Sequence, residues 1–189
     1  MNETPPDAVL RFWFGEAPGA SRPEWFRKDA RFDGEIRERF GALHAAAAKG
    51  GCDTWRVSAE SLLALVIVLD QFSRNLYRDD ARAFAQDAHA RDCAAQALER
   101  GDDLTLLPVQ RGFLYLPFEH SEDLRDQERS VELFTTLEAF EPTRGLSGWA
   151  VKHRDIVERF GRFPHRNAAL GRPSTAEEVA FLLQPGSRF

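Results

Sequence analysis

"AESLLALVIVLDQF", residues 59–72, is the stretch whose reading decides the fold. Its apolar side chains fall on every face of a helix, and Ser58 stands just before it as a helix-starting residue. A helix that is apolar all round has no face to give to water. It belongs at the centre, with other helices around it. The uninterrupted apolar run, residues 62–69, is eight residues long. A bilayer span needs about 20 residues, so the run is a core element and no membrane partner is expected.

Helical periodicity continues on both sides of this centre, with no alternating strand. Residues 7–14 predict a short first helix ending at Gly15, and Phe32, Ile36, Phe40 and Leu43 form one stripe of a helix stopped by Gly50 and Gly51. Residues 79–101 predict a long Ala-rich helix with Phe84, Ala88, Ala95 and Leu98 inward. Pro108 opens the next helix. Ser121, followed by Glu122 and Asp123, opens another with Leu124, Val131, Phe134 and Leu137 inward. Residues 146–160 present Trp149, Ile156, Val157 and Phe160, and Thr175 with Glu178 makes a capping box for a last helix carrying Val179, Leu182 and Leu183. The expectation is an all-α chain of about eight antiparallel helices joined by short turns, in a single domain over residues 1–189. Packing arguments leave a bundle and a repeat-like stack both open.

With 43% apolar and 29% charged residues and a net charge of -5, the chain has the composition of an ordinary globular protein. A pI of about 5.6 speaks against a nucleic-acid partner. Cys52 and Cys93 lack metal or CxxC spacing, and the opening "MNETPPDAVLRFWFG" has no basic leader, so reduced thiols and a cytoplasmic location are expected. Lysine occurs only at Lys28, Lys49 and Lys152, so any cationic site here is built from arginines, which grip anions bidentately.

Three polar segments invite a functional reading. In "VLDQFSRNLYRDD", residues 68–80, Asp70 follows the apolar run directly, and Arg74 lies four residues on along the same helical face. A carboxylate at the edge of a core needs a cation or several donors. Asp70, Arg74 and Asn75 therefore make either a structural tie at a helix end or one wall of a ligand pocket. In "LPFEHSEDLRDQE", residues 116–128, His120 sits just before the helix-opening acids, as part of the cap or facing a ligand; its spacing to Glu122 and Asp123 is wrong for a helical metal pair, and no metal is expected. In "FGRFPHRNAALGRPST", residues 160–175, Arg162, His165, Arg166 and Asn167 cluster in a turn made rigid by Gly161 and Pro164. These groups suit a carboxylate or phosphate, or else they answer the acidic segment 122–141, which holds seven acids and two arginines. His153, on the stripe of its helix between Trp149 and Ile156, reads as a core histidine.

"FWFG" (residues 12–15), "LDQFSRN" (69–75), "LPFEHSEDLRDQE" and "FGRFPHRNAALGR" (160–172) resemble, in order and along essentially the whole chain, the bacterial domain-of-unknown-function family numbered 924. The resemblance implies a tetratricopeptide-like, right-handed superhelical stack and carries no established activity. The family pattern has proline where this chain has Ser73, which implies a softer kink before Arg74. The resulting expectation is a small anionic ligand held by Arg74, Arg162 and Arg166, with Asp70, Asn75 and Asn167 arranging the site and His120 or His165 moving a proton. No cofactor motif is present. The competing expectation is a groove for a peptide or partner helix, with Trp13, Trp25 or Phe26 exposed along it.

Overall fold

The computed structural model describes residues 4–187; residues 1–3, part of the opening read above for a leader, lie outside it with residues 188–189. Among the described residues there is no strand. The α-helices are α1 (Pro6–Phe14), α2 (Ala30–Ala47), α3 (Ala59–Val66), α4 (Phe72–Leu76), α5 (Asp87–Arg100), α6 (Pro108–Glu119), α7 (Leu124–Thr135), α8 (Leu146–Phe160) and α9 (Ala176–Leu182). A π turn, Ile67–Gln71, joins α3 to α4, so these two run as one rod.

That rod is the axis of the molecule. Every residue from 62 to 69 is fully buried, as is Phe72. Helices α1, α5 and α6 pack on α3, and α2 packs on the π turn and α4. Burying each large aliphatic side chain contributes roughly 1.5–3 kcal/mol, so this one rod carries a large share of the core energy. Farther along, α5 packs on α6, α6 on α7 and α7 on α8, each neighbour in sequence being a neighbour in space. Ser58 starts α3 as expected, in a capping box with Ser61.

The "FWFG" segment is the second packing centre. Trp13 on α1 lies 6.2 Å from Trp25, 5.7 Å from Phe72 and 5.5 Å from Phe113, ring centroid to centroid. Such aromatic contacts add to the area they bury. Gly15 ends α1 with φ 68°, a left-handed angle that glycine tolerates. The carbonyls of Phe12 and Trp13, left without helical partners there, accept from Arg22 Nη1 at 2.8 and 2.7 Å.

Several expected inward stripes are corrected. Trp149 is 49% exposed, Val179 50% and Leu183 83%, and Leu124 also faces out. The inner face of α5 is Ala90, Cys93, Ala94 and Ala97, because the chain before Asp87 is a turn and a short 3-10 segment (Ala81–Ala83) in place of helix. Helical phase counted from Phe84 therefore does not carry into α5. Helix α7 is capped by Asp123, whose carboxylate accepts from the Arg125 amide at 2.9 Å, while Ser121 Oγ binds Asp126. In α9 the buried residue is Glu178, so this helix is anchored by an ion pair and its capping box more than by an apolar face. Thr175→Ala, which removes the capping oxygen, is expected to cost about 1 kcal/mol in urea denaturation.

Candidate functional site

At the π turn the phase of the central rod changes. Phe72 N–H reaches back five residues to the Ile67 carbonyl, and the inserted residue lets Asp70 leave the apolar register and meet the end of α6. Ser73 stays in the helix: its hydroxyl donates to the Leu69 carbonyl at 2.5 Å, and His44 Nε2 lies 2.8 Å from the same oxygen. This pair has the composition of a nucleophile and its base but the wrong polarity. Ser73 has spent its proton on Leu69 and is fully buried, so His44 must donate to it.

Around Asp70 the structure gathers residues from four places in the chain. Its Oδ1 accepts from His120 Nδ1 at 2.7 Å and pairs with Arg74 Nη1 at 3.1 Å, while Oδ2 accepts from Gln71 Nε2 at 2.6 Å. Arg74 also forks onto Asp87, Nη1 to Oδ1 at 2.9 Å and Nη2 to Oδ2 at 3.1 Å. Asp87 in turn takes Arg166 Nη1 at 3.3 Å. The Arg166 guanidinium lies between two rings, 4.6 Å from the centroid of Phe84 and 4.5 Å from that of Phe163. Its Nε is buried without a hydrogen-bond partner among the described residues. The side chains of Arg74 and His120 keep 20% and 14% exposure, so the cluster reaches solvent on that side.

The charges follow from this geometry. Burial alone would raise the Asp70 carboxyl, but Arg74 and His120 outweigh it and hold it well below the usual carboxylate range. Burial and then the Arg74 charge lower the His120 imidazole, so it is neutral at pH 7 and donates Nδ1–H to the carboxylate. Burial, and then Arg74, bring Arg166 down to about 10. His165, half-buried beside Phe163, is lowered to about 3 by burial and then by Arg166. Behind Asp70 stands Glu119, buried and pushed up to about 8 by desolvation and by the Asp70 charge. His153 Nδ1 is 3.3 Å from Glu119 Oε1, yet burial lowers this imidazole to about 3. At neutral pH this is a contact between two uncharged groups, because desolvation disfavours the charged form of each.

Of the residues singled out from sequence, Asp70, Arg74, His120 and Arg166 come together, with His165 alongside. Arg162, Asn75 and Asn167 do not join them. Arg162 forks onto Glu178 at 2.7 and 2.9 Å and ties down α9. Asn75 donates to Asp33 at 2.8 Å, a carboxylate that Arg78 also grips, and so fastens α4 to α2. Asn167 links Ser174 and Arg172 within its own loop, and Arg172 forks onto Glu122. The arginines of the C-terminal segment thus divide. Arg162 and Arg172 answer Glu178 and Glu122, whereas Arg166 reaches Asp87 within the cluster. Asp87 and Glu119 were not legible as members: within the expected helix 79–101 Asp87 holds no special position, and Glu119 has no local spacing that points to Asp70. Grooves of about 390 Å³, lined by Arg11, Phe12, Arg22 and Arg39 among others, and of about 230 Å³, beside Phe118 and Arg129, lie apart from the cluster.

A family model described as "Bacterial protein of unknown function (DUF924)" matches residues 9–186. A solved structure of a protein of unknown function from Agrobacterium tumefaciens is 44% identical, with a TM-score of 0.85 over 94% of this chain and 96% of that one. No curated protein matches this chain.

Proposed function

Since the chain belongs to this bacterial family of unknown function, we infer its role from the site itself: it binds a small carboxylate- or phosphate-bearing molecule at Arg74, Arg166 and His120. The observation that carries this reading is Arg166, a guanidinium 7% exposed at its side chain whose Nε has no hydrogen-bond partner among the described residues. Leaving a buried charged donor unmatched costs roughly 1–3 kcal/mol, which an anionic ligand would recover. Arg74 shares the Asp87 carboxylate with Arg166, and the partly exposed His120 completes the rim. The peptide-groove reading draws less support, since Trp13 and Trp25 are buried in the core and only Phe26 of the three is exposed. Cys52 and Cys93 are both buried, and among the described residues no helix is long and apolar enough to cross a membrane; both facts suit the cytoplasmic location that we include in this reading.

Thermal unfolding in inorganic phosphate and in succinate tests it. A ligand at about 100 times its dissociation constant stabilises by about 2.7 kcal/mol, a shift readily measured in a domain of this size. Arg166→Met is expected to abolish the shift while leaving the fold intact, because Phe84 and Phe163 offer an apolar slot for the new side chain. Equal shifts in wild type and Arg166→Met would remove the site from consideration.

A further inference from the structure

We propose that Asp70 and His120 form a general-base dyad that activates water against an ester of a small anionic acid; this rests on the anion-binding reading and extends it to a reaction. The dyad is held from behind on both carboxylate oxygens. Oδ1 takes His120 and Arg74, Oδ2 takes Gln71, and the Asp70 side chain is 1% exposed. A carboxylate fixed in this way keeps the proton of a neutral imidazole on Nδ1 and leaves the lone pair on Nε2. His120 closes α6 through its backbone N–H, bonded to the Leu116 carbonyl at 2.9 Å, so the ring is anchored at both ends. With its Nδ1 edge against buried Asp70, the ring turns Nε2 away from that carboxylate, and the side chain as a whole keeps 14% exposure.

Among the described residues no hydroxyl or thiol is bonded to Nε2, and the nearby serines are committed elsewhere: Ser73 to Leu69 and His44, Ser121 to Asp126. The nucleophile therefore comes from solvent. Arg74, paired with Asp70 at 3.1 Å, and Arg166, joined to Arg74 through Asp87, supply positive charge beside the dyad, where an acyl oxygen becomes an oxyanion. In the step, a water oxygen bonds to the acyl carbon as the carbonyl electron pair moves onto its oxygen, and the water proton passes to Nε2. The intermediate then collapses, the ester C–O bond breaks, and the departing alkoxide takes that proton back from Nε2. The products are the carboxylic acid and the alcohol, with His120 neutral again.

The test uses the full chain and 4-nitrophenyl acetate as the simplest ester, with diethyl pyrocarbonate to map reactive histidines. Wild type is expected to release 4-nitrophenol about 10²–10⁴-fold faster than His120→Gln, with the rate maintained below the ordinary imidazole pKa of about 6.5 because the imidazole is lowered. Asp70→Asn is expected to move that pH profile as well as the rate, which a merely structural carboxylate would not do. Among the five histidines, His120 is expected to be carbethoxylated first and to be protected by phosphate. Rates in His120→Gln equal to wild type, or modification that reaches the other histidines and leaves His120 untouched, overturn the dyad. Should Asp70→Asn fail to fold, His120→Gln decides alone, since its side chain lies at the rim. If phosphate still raises the melting temperature while turnover ignores His120, the dyad falls and anion binding stands. If turnover depends on His120 but phosphate neither protects nor stabilises, the anion reading falls instead.

Discussion

Glu119→Gln is expected to stabilise the protein by about 4 kcal/mol at pH 9 and to destabilise it by about 1 kcal/mol near pH 4. The folded-state carboxyl of Glu119 is raised from 4.5 to about 8, first by desolvation and then by the negative charge of Asp70. In the folded protein it therefore keeps its proton over a range in which the unfolded chain has lost it. The sign follows from proton binding: between 4.5 and about 8 the folded state holds more protons, so stability falls as pH rises through that window. At about 1.4 kcal/mol per pH unit the whole interval is worth about 5 kcal/mol, and a glutamine amide that matches its surroundings imperfectly gives back about 1 kcal/mol. Glutamine stays neutral in both states, so the variant loses the alkaline decline and keeps only the small amide penalty at every pH. The acid limb remains. His153 and His165 are both lowered from 6.5 to about 3, so their contribution is complete above 6.5 and is lost as pH falls toward 3. Urea midpoints measured from pH 4 to pH 9 decide the matter. A variant whose curve runs parallel to wild type across that range would show that Glu119 ionises normally.

Asp70→Ala is expected to cost about 3–5 kcal/mol, the range for stripping one partner from a buried ion pair. The loss has three sources. Arg74 keeps Asp87 but loses the acid at the π turn, Gln71 loses its 2.6 Å acceptor, and His120 loses the oxygen that holds its Nδ1 proton. Adding Arg74→Met to Asp70→Ala is expected to recover part of the loss, because the stranded guanidinium is replaced by an apolar side chain. The double-mutant cycle, read from urea denaturation of the four proteins, measures this recovery. Strictly additive losses would mean that the two side chains do not act as a pair.

Much of the fold is visible in short windows of sequence. The all-round apolar run 62–69 announces the central rod, Ser58 and the Thr175–Glu178 box mark helix starts, and Gly15 marks a stop. These signals are local: a cap, a turn or a helical period is complete within a few residues. The errors are local too. Trp149, Val179 and Leu183 lie on credible apolar stripes, yet the helices that carry them are edge elements with no neighbour covering those positions. The alanine-rich segment before Arg100 offers too little contrast between faces for periodicity to fix its phase.

What the sequence determined by itself is the helical class, the buried axis and the types of group in the site: arginines, imidazoles and an acid at the end of an apolar run. Tertiary structure alone decided which of them meet. Asp70 finds His120 at a separation of 50 residues, and Arg166 finds Asp87 at 79, while Arg162 is drawn off to Glu178. It also decided that Glu119, unremarkable in its own helix, stands behind Asp70 and keeps its proton. The reason is physical. Helical propensity and capping act between residues close in the chain, whereas desolvation and Coulomb interaction depend on distances that exist only once the helices have packed.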